Sequence, residues 1–73
     1  MRKSIYSTEH LKLVDKLIEA RKDAGLDQTQ VAKKLKVTQS FISKIESGQT
    51  KIDVFQLLDF AKVYKKDLNY FIK

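Results

Sequence analysis

Two stretches with helical spacing of apolar residues, 28–35 and 39–46, are separated by only Lys36-Val37-Thr38. Three residues are too few to reverse the chain into an antiparallel pair, so the two helices must cross at a steep angle. Residues at such a crossing have to be small or apolar. In the unit that starts at Gln28 the fifth place is Ala32, and Val31, Leu35, Val37, Ile42 and Ile45 take the fourth, eighth, tenth, fifteenth and eighteenth. The spacing predicts a rigid corner of two short helices over 28–47, around which the rest must pack.

The flanking sequence is helical too. Between Ser7 or Thr8 and Gly25, Leu11, Leu13, Val14, Leu17, Ile18, Ala20 and Ala24 recur at helical spacing, with charged residues in the gaps. With Ser7 as N-cap, Tyr6 can pack on Leu11 as a hydrophobic staple, and Gly25 can end the helix in the left-handed conformation. Asp27 and Thr38 cap the two helices of the corner, and Gly48 closes the second. Asp53 with Gln56 reads as a capping box for a fourth helix, whose apolar positions are Val54, Leu57, Leu58, Phe60, Ala61 and Val63. Asp67 caps a last short helix with Leu68, Phe71 and Ile72. No sustained period-two alternation and no Asn-Gly or Asp-Gly hairpin turn is present, so the expected class is all-α, five helices in one compact domain over 1–73, with 1–6 a flexible N-terminal segment.

A chain of 73 residues buries only about 60% of its unfolded surface. With no cysteine, neither disulfides nor thiolate-bound zinc can reinforce it, and helix packing must suffice. The absence of a long apolar run or signal-peptide core points to a soluble, cytoplasmic protein.

The net charge of +6 is unevenly spread. Residues 1–27 carry six Lys/Arg against five Asp/Glu and residues 52–73 four against three, but residues 28–51 carry five against one. A polyanion is drawn to that middle third. At about 100° per residue, Ile42 and Ile45 share one side of the second corner helix, while Gln39, Ser40, Ser43 and Lys44 occupy the other. Glutamine can bond adenine N6 and N7, serine donates or accepts, and lysine reaches guanine or a phosphate, so this face is suited to base edges in a major groove. The corner is a helix-turn-helix pattern. Phe41, at the border of the two faces, is expected to pack against the following loop or the fourth helix.

From Ala20 to Phe71 the run ARKDAGLDQTQVAKKLKVTQSFISKIESGQTKIDVFQLLDFAKVYKKDLNYF resembles the phage repressor and Cro type helix-turn-helix proteins, the XRE family. The resemblance implies a lambda-repressor-like fold and specific binding to double-stranded DNA. It further implies that Gln28 bonds a phosphate and braces Gln39, that Gln39, Ser40, Ser43 and Lys44 contact bases or adjacent phosphates, and that Gln49, Thr50 and Lys51 meet the backbone. Thr38 and Lys36 are expected beside phosphate as well. Arg21 and Glu46 match a buried ion pair that ties the first helix to the recognition helix. Two positions depart from the pattern: Lys36 stands where the turn usually has glycine, and Ile52 where the loop often has proline.

Tyr64, Leu68, Tyr70, Phe71 and Ile72 are more apolar groups than one short helix can bury by itself. They are candidates for a homodimer contact, with completion of the core as the alternative, and Tyr70 and Ile72 are expected to be the most exposed. His10 is expected on the surface, and one histidine without cysteine supports no metal site; no cofactor is implied. Arg2 and Lys3 are read as part of a terminal tail rather than a groove-binding arm. The expected function is a small transcriptional regulator, with helix 39–46 in the major groove of a near-palindromic operator. An antitoxin that masks a small protein partner and a restriction-modification controller are the competing readings. No nucleophile-base pair or phosphate loop appears, so an enzyme is not expected.

Overall fold

The first four helices each begin where a short polar side chain accepts from the first free amides. In the computed structural model, which describes residues 7–72, the helices are α1 (Thr8–Asp23), α2 (Gln28–Leu35), α3 (Gln39–Glu46), α4 (Val54–Tyr64) and α5 (Leu68–Ile72), with no strand among the described residues. Residues 1–6 and 73 lie outside the described residues, and with them the expected N-terminal segment, Arg2, Lys3 and the staple from Tyr6. Ser7 Oγ accepts from the His10 amide at 3.2 Å, and Thr38 Oγ1 from the Phe41 amide at 3.1 Å. Asp27 with Gln30, and Asp53 with Gln56, form reciprocal capping boxes. Each of these caps satisfies donors that no helix can pair internally.

The first four helices end in one way. A left-handed residue follows each: Gly25 (φ 71°), Lys36 (φ 59°), Gly48 (φ 78°) and Lys65 (φ 56°). The next amide reaches back to the last turn, from Leu26 to the Arg21 carbonyl, Val37 to Ala32, Gln49 to Lys44 and Lys66 to Ala61. This is the Schellman arrangement. Two lysines therefore do what the two glycines do, each at a steric cost that glycine avoids. The turn at Lys36 keeps the geometry that the family builds with glycine.

The core gathers Leu17 and Ala20 of α1, Val31 and Ala32 of α2, Ile42 and Ile45 of α3, four residues of α4 and Phe71 of α5. Helix α2 packs on α3 and α4, while α1 packs on α3, α4 and α5. On α4 the buried stripe is Leu57, Phe60, Ala61 and Tyr64, the i, i+3, i+4, i+7 set. Val54 and Leu58, counted with the apolar positions of this helix, are exposed instead. Leu58 stands about 100° round from Leu57, and Val54 lies in the first turn beyond the stripe.

The C-terminal aromatics also depart from expectation. Tyr64 (3% exposed) and Phe71 (4%) belong to the core, so neither offers a surface for pairing in this fold. The reason is that α5 lies back against α1 and α4 and drives Phe71 between them. Tyr70 is half-buried rather than prominent, its ring flanked by the ammonium groups of Lys16 and Lys66 at 4.8 and 4.7 Å and set edge-on to Phe71. Leu68 packs partly buried against the core, and only Ile72 of the five is well exposed. His10 is half-buried, not fully on the surface.

Candidate nucleic-acid interface

Helix α3 is seated by two side chains. Ile42 (0% exposed) and Ile45 (1%) are buried in the core, where α3 packs on α1 and α2, and this turns the opposite face outward. Gln39, Ser40 and Lys44 are exposed there, and Ser43 is half-buried. Eight residues make a rod of about 12 Å at 1.5 Å rise per residue, comparable with a major groove about 12 Å wide. Phe41 leans toward α4 as expected, beside Leu35, Val37, Gln56, Asp59 and Phe60.

The segments at both ends of α3 are held by local bonds. Thr38 uses one hydroxyl lone pair as a cap, which leaves its O–H able to donate to a phosphate. Lys36 is exposed one residue beyond α2. After α3, Gln49 and Lys51 are exposed and Thr50 is half-buried. Buried Gly48 anchors one side of this loop, and Ile52 anchors the other by packing on the core. Apolar burial at Ile52 thus does the fixing that proline does in the family pattern.

Behind the face lies a connected set of polar side chains. Arg21 Nε donates to Glu46 Oε2 at 2.8 Å and Nη2 to Oε1 at 3.2 Å, while Nη1 donates to the Leu26 carbonyl at 2.9 Å. The two side chains are only 14% and 8% exposed, and the bond to Glu46 holds the guanidinium pKa above its ordinary value. Gln28 Nε2 donates to Glu46 Oε1 at 3.1 Å, and Gln39 Nε2 donates to Gln28 Oε1. A path of hydrogen bonds therefore runs from α1 through α3 and α2 to the first residue of the reading face. Tyr64 lies near the ion pair; burial first, then the charge of Glu46, pushes its hydroxyl pKa up, against the opposing effect of Arg21.

The electrostatics match this geometry. Lys33, Lys34, Lys36, Lys44 and Lys51 are all exposed, whereas Glu46, the sole carboxylate between residues 28 and 51, is buried beneath them. Between residues 28 and 51 every exposed charge is therefore positive.

The helix-turn-helix family model matches residues 17–71, most of the chain and all of the corner. The chain belongs to the XRE family of helix-turn-helix proteins. Among solved structures, an XRE-family like protein from Pseudomonas syringae pv. tomato str. DC3000 is 34% identical and superimposes with a TM-score of 0.81, covering 88% of this chain and 78% of that one. No curated protein matches the chain. The XRE fold is a DNA-binding regulator fold, not one typical of enzymes. Among the described residues no group of His, Cys, Asp or Glu is arranged to hold a metal ion, and no helix is long and apolar enough to cross a membrane.

Two features of this XRE domain were not foreseen from sequence. The bond between Gln28 and Glu46 joins residues eighteen apart with no periodic relation, so only the fold reveals it. The other is an apolar side of α4, where Val54 (55% exposed), Phe55 (75%) and Leu58 (38%) face outward, flanked by exposed Asp59 and Lys62. A helical wheel centred on Leu57 and Phe60 contains the signal for it.

Proposed function

We propose that this protein is a sequence-specific transcriptional regulator that binds double-stranded DNA with α3 in the major groove. Gln39, Ser40, Ser43 and Lys44 read bases or adjacent phosphates, while Gln28, Lys36, Thr38, Gln49, Thr50 and Lys51 hold the backbone and set the register. The observation that carries this reading is the surface of α3: hydrogen-bonding groups with a single cation, outward on a helix whose other side is wholly buried. A row of lysines would grip any sequence, whereas amides and hydroxyls discriminate. In the cell the protein acts in the cytoplasm, on the nucleoid.

Selection from random duplexes tests it. An enriched motif is expected, with affinity falling steeply with salt as several phosphates are neutralised. A flat salt response, or no enrichment, refutes the reading.

The site is read as a near-palindrome bound by two copies. Cα extents of 28 × 26 × 21 Å let one copy cover only one of two half-sites about 34 Å apart. The α4 side chains Val54, Phe55 and Leu58 supply the apolar contact, and Asp59 and Lys62 offer opposite charges to a second copy. Even if each matched the largest, Phe55, at about 150–250 Å², three partly exposed side chains fall short of the ~800 Å² per partner of a stable complex. Pairing therefore occurs on the operator. In free solution, sedimentation is expected to show monomer at low micromolar concentration, and Phe55→Ser to remove cooperative half-site binding while leaving single half-site affinity unchanged. Cooperativity that survives this substitution assigns pairing elsewhere; capture of a small protein by α4 in place of a second copy favours the antitoxin reading.

A further inference from the structure

We infer that Glu46, although it lies beneath the surface, is a positioning residue for base choice: it fixes which way round the amide of Gln39 stands, and so commits Gln39 to adenine and against guanine. The inference rests on the proposed entry of α3 into the major groove and deepens it.

Donors and acceptors decide the orientation of each amide. Both oxygens of Glu46 are engaged by Arg21, and Oε1 also receives the bond from Gln28. A carboxylate in an ion pair accepts only. Gln28 must therefore turn its Nε2 toward Glu46 and its Oε1 the other way. That oxygen in turn requires a donor from Gln39, and it receives Nε2 of Gln39. Each amide in the row has its polarity set by the one before it, and the row begins at a group that cannot donate.

What remains at exposed Gln39 is its Oε1 and one amide hydrogen. Adenine offers an N6–H donor and an N7 acceptor in the major groove, a match for that pair. Guanine offers O6 and N7, both acceptors. It would need two amide hydrogens, one of which is already given to Gln28, and it would set O6 against Oε1. An unbraced glutamine can rotate to give both hydrogens to guanine; this one cannot without breaking the row. Arg21 contributes by holding the plane of the carboxylate with two bonds and by anchoring itself to the Leu26 carbonyl.

The test compares adenine with guanine at the base pair nearest Gln39, by competition between otherwise identical duplexes carrying the selected site. For the wild-type chain the expected preference for adenine is on the order of five- to a hundredfold, the range of a good bidentate contact. Gln28→Met removes the middle of the row and leaves the Arg21–Glu46 pair intact, so the fold is retained while the preference falls to within about twofold of unity. Glu46→Gln makes the first group able to donate as well as accept, and it lowers the preference in the same way. The double exchange Gln28→Glu with Glu46→Gln restores an acceptor-only group next to Gln39, fed by a donor from position 46. It is expected to recover the adenine ratio even though the new carboxylate weakens binding to every duplex.

Thermal melts of all four proteins show that the ratios come from folded chains. A merely structural role for Glu46 predicts loss of affinity with an unchanged ratio. An unchanged ratio in Gln28→Met, or a double exchange that binds without recovering it, overturns the inference. A wild-type chain that binds its site without preferring adenine there also overturns it and leaves the proposed function standing. Failure to bind any duplex sinks both.

Discussion

Replacing Lys36 by glycine and by alanine separates backbone strain from charge. Lys36 has φ 59° and ψ 42°, a left-handed conformation that costs a residue with a Cβ roughly 1–2 kcal/mol. Its amide donates to the Lys33 carbonyl at 3.3 Å and the Val37 amide to Ala32 at 3.0 Å, bonds that any residue here retains. Both substitutions remove the same exposed cation. Glycine relieves the strain but gives the unfolded chain back about 0.4–1 kcal/mol of conformational freedom, whereas alanine keeps the strain. Lys36→Gly is therefore expected to exceed Lys36→Ala in stability by about 0.5–1 kcal/mol. In a domain of this size that is roughly 2–8 °C in Tm, measurable by thermal melts of the free protein. Lys65, at φ 56° after α4, repeats the geometry away from the reading face and should show the same difference between glycine and alanine. On DNA, both changes at Lys36 should reduce the salt slope by about 0.9, the increment for a single neutralised phosphate, and both changes at Lys65 should not. An alanine variant as stable as the glycine variant at either position would refute the strain argument. A salt slope unchanged at Lys36 would remove it from the residues that touch the DNA backbone.

Three further outcomes are expected. Glu46→Ala leaves Arg21 buried without its partner and should cost about 3–5 kcal/mol in denaturant unfolding; a loss below about 1 kcal/mol would mean that the pair behaves as an exposed one. Phe71→Ala should cost about 3–5 kcal/mol, while an effect on pairing alone, with stability intact, would return Phe71 to the interface. Tyr64, its hydroxyl pKa raised chiefly by burial, favours the neutral form in the fold, and an unfolded tyrosine loses its proton near pH 10. Its contribution is thus complete below about pH 10 and is lost as pH climbs from there toward the folded value, so phenolate absorbance from this residue should accompany alkaline unfolding rather than precede it.

Much of the fold was legible because its signals are local. Ser7, Asp27, Thr38 and Asp53 announce helix starts by chemistry that acts over three residues, and the short connection at Lys36-Val37-Thr38 joins two helices that pack on each other. Lys36 and Lys65 were harder, since lysine is an ordinary helix residue and nothing in its chemistry advertises a left-handed turn; the departure at Lys36 came from the family pattern, and Lys65 from the fold alone. The outward set of α3 followed from periodicity, whereas the Arg21–Glu46 pair came through resemblance and the bond from Gln28 to Glu46 through neither. The C-terminal aromatics show the limit of counting apolar groups. Whether Tyr64 and Phe71 face water or core depends on the direction in which α5 folds back, and that is decided by packing against α1 and α4, distant in sequence.

The length of α3 has a practical meaning. At eight residues it is below the ~12–15 at which an isolated helix becomes even marginal in water. Its shape is supplied by Thr38, Gly48 and the seat of Ile42 and Ile45, none of which survives excision. A synthetic peptide of this segment would be a poor drug lead or probe. The smallest portable reader is the whole domain, and a library that varies Gln39, Ser40, Ser43 and Lys44 should be displayed on the intact chain.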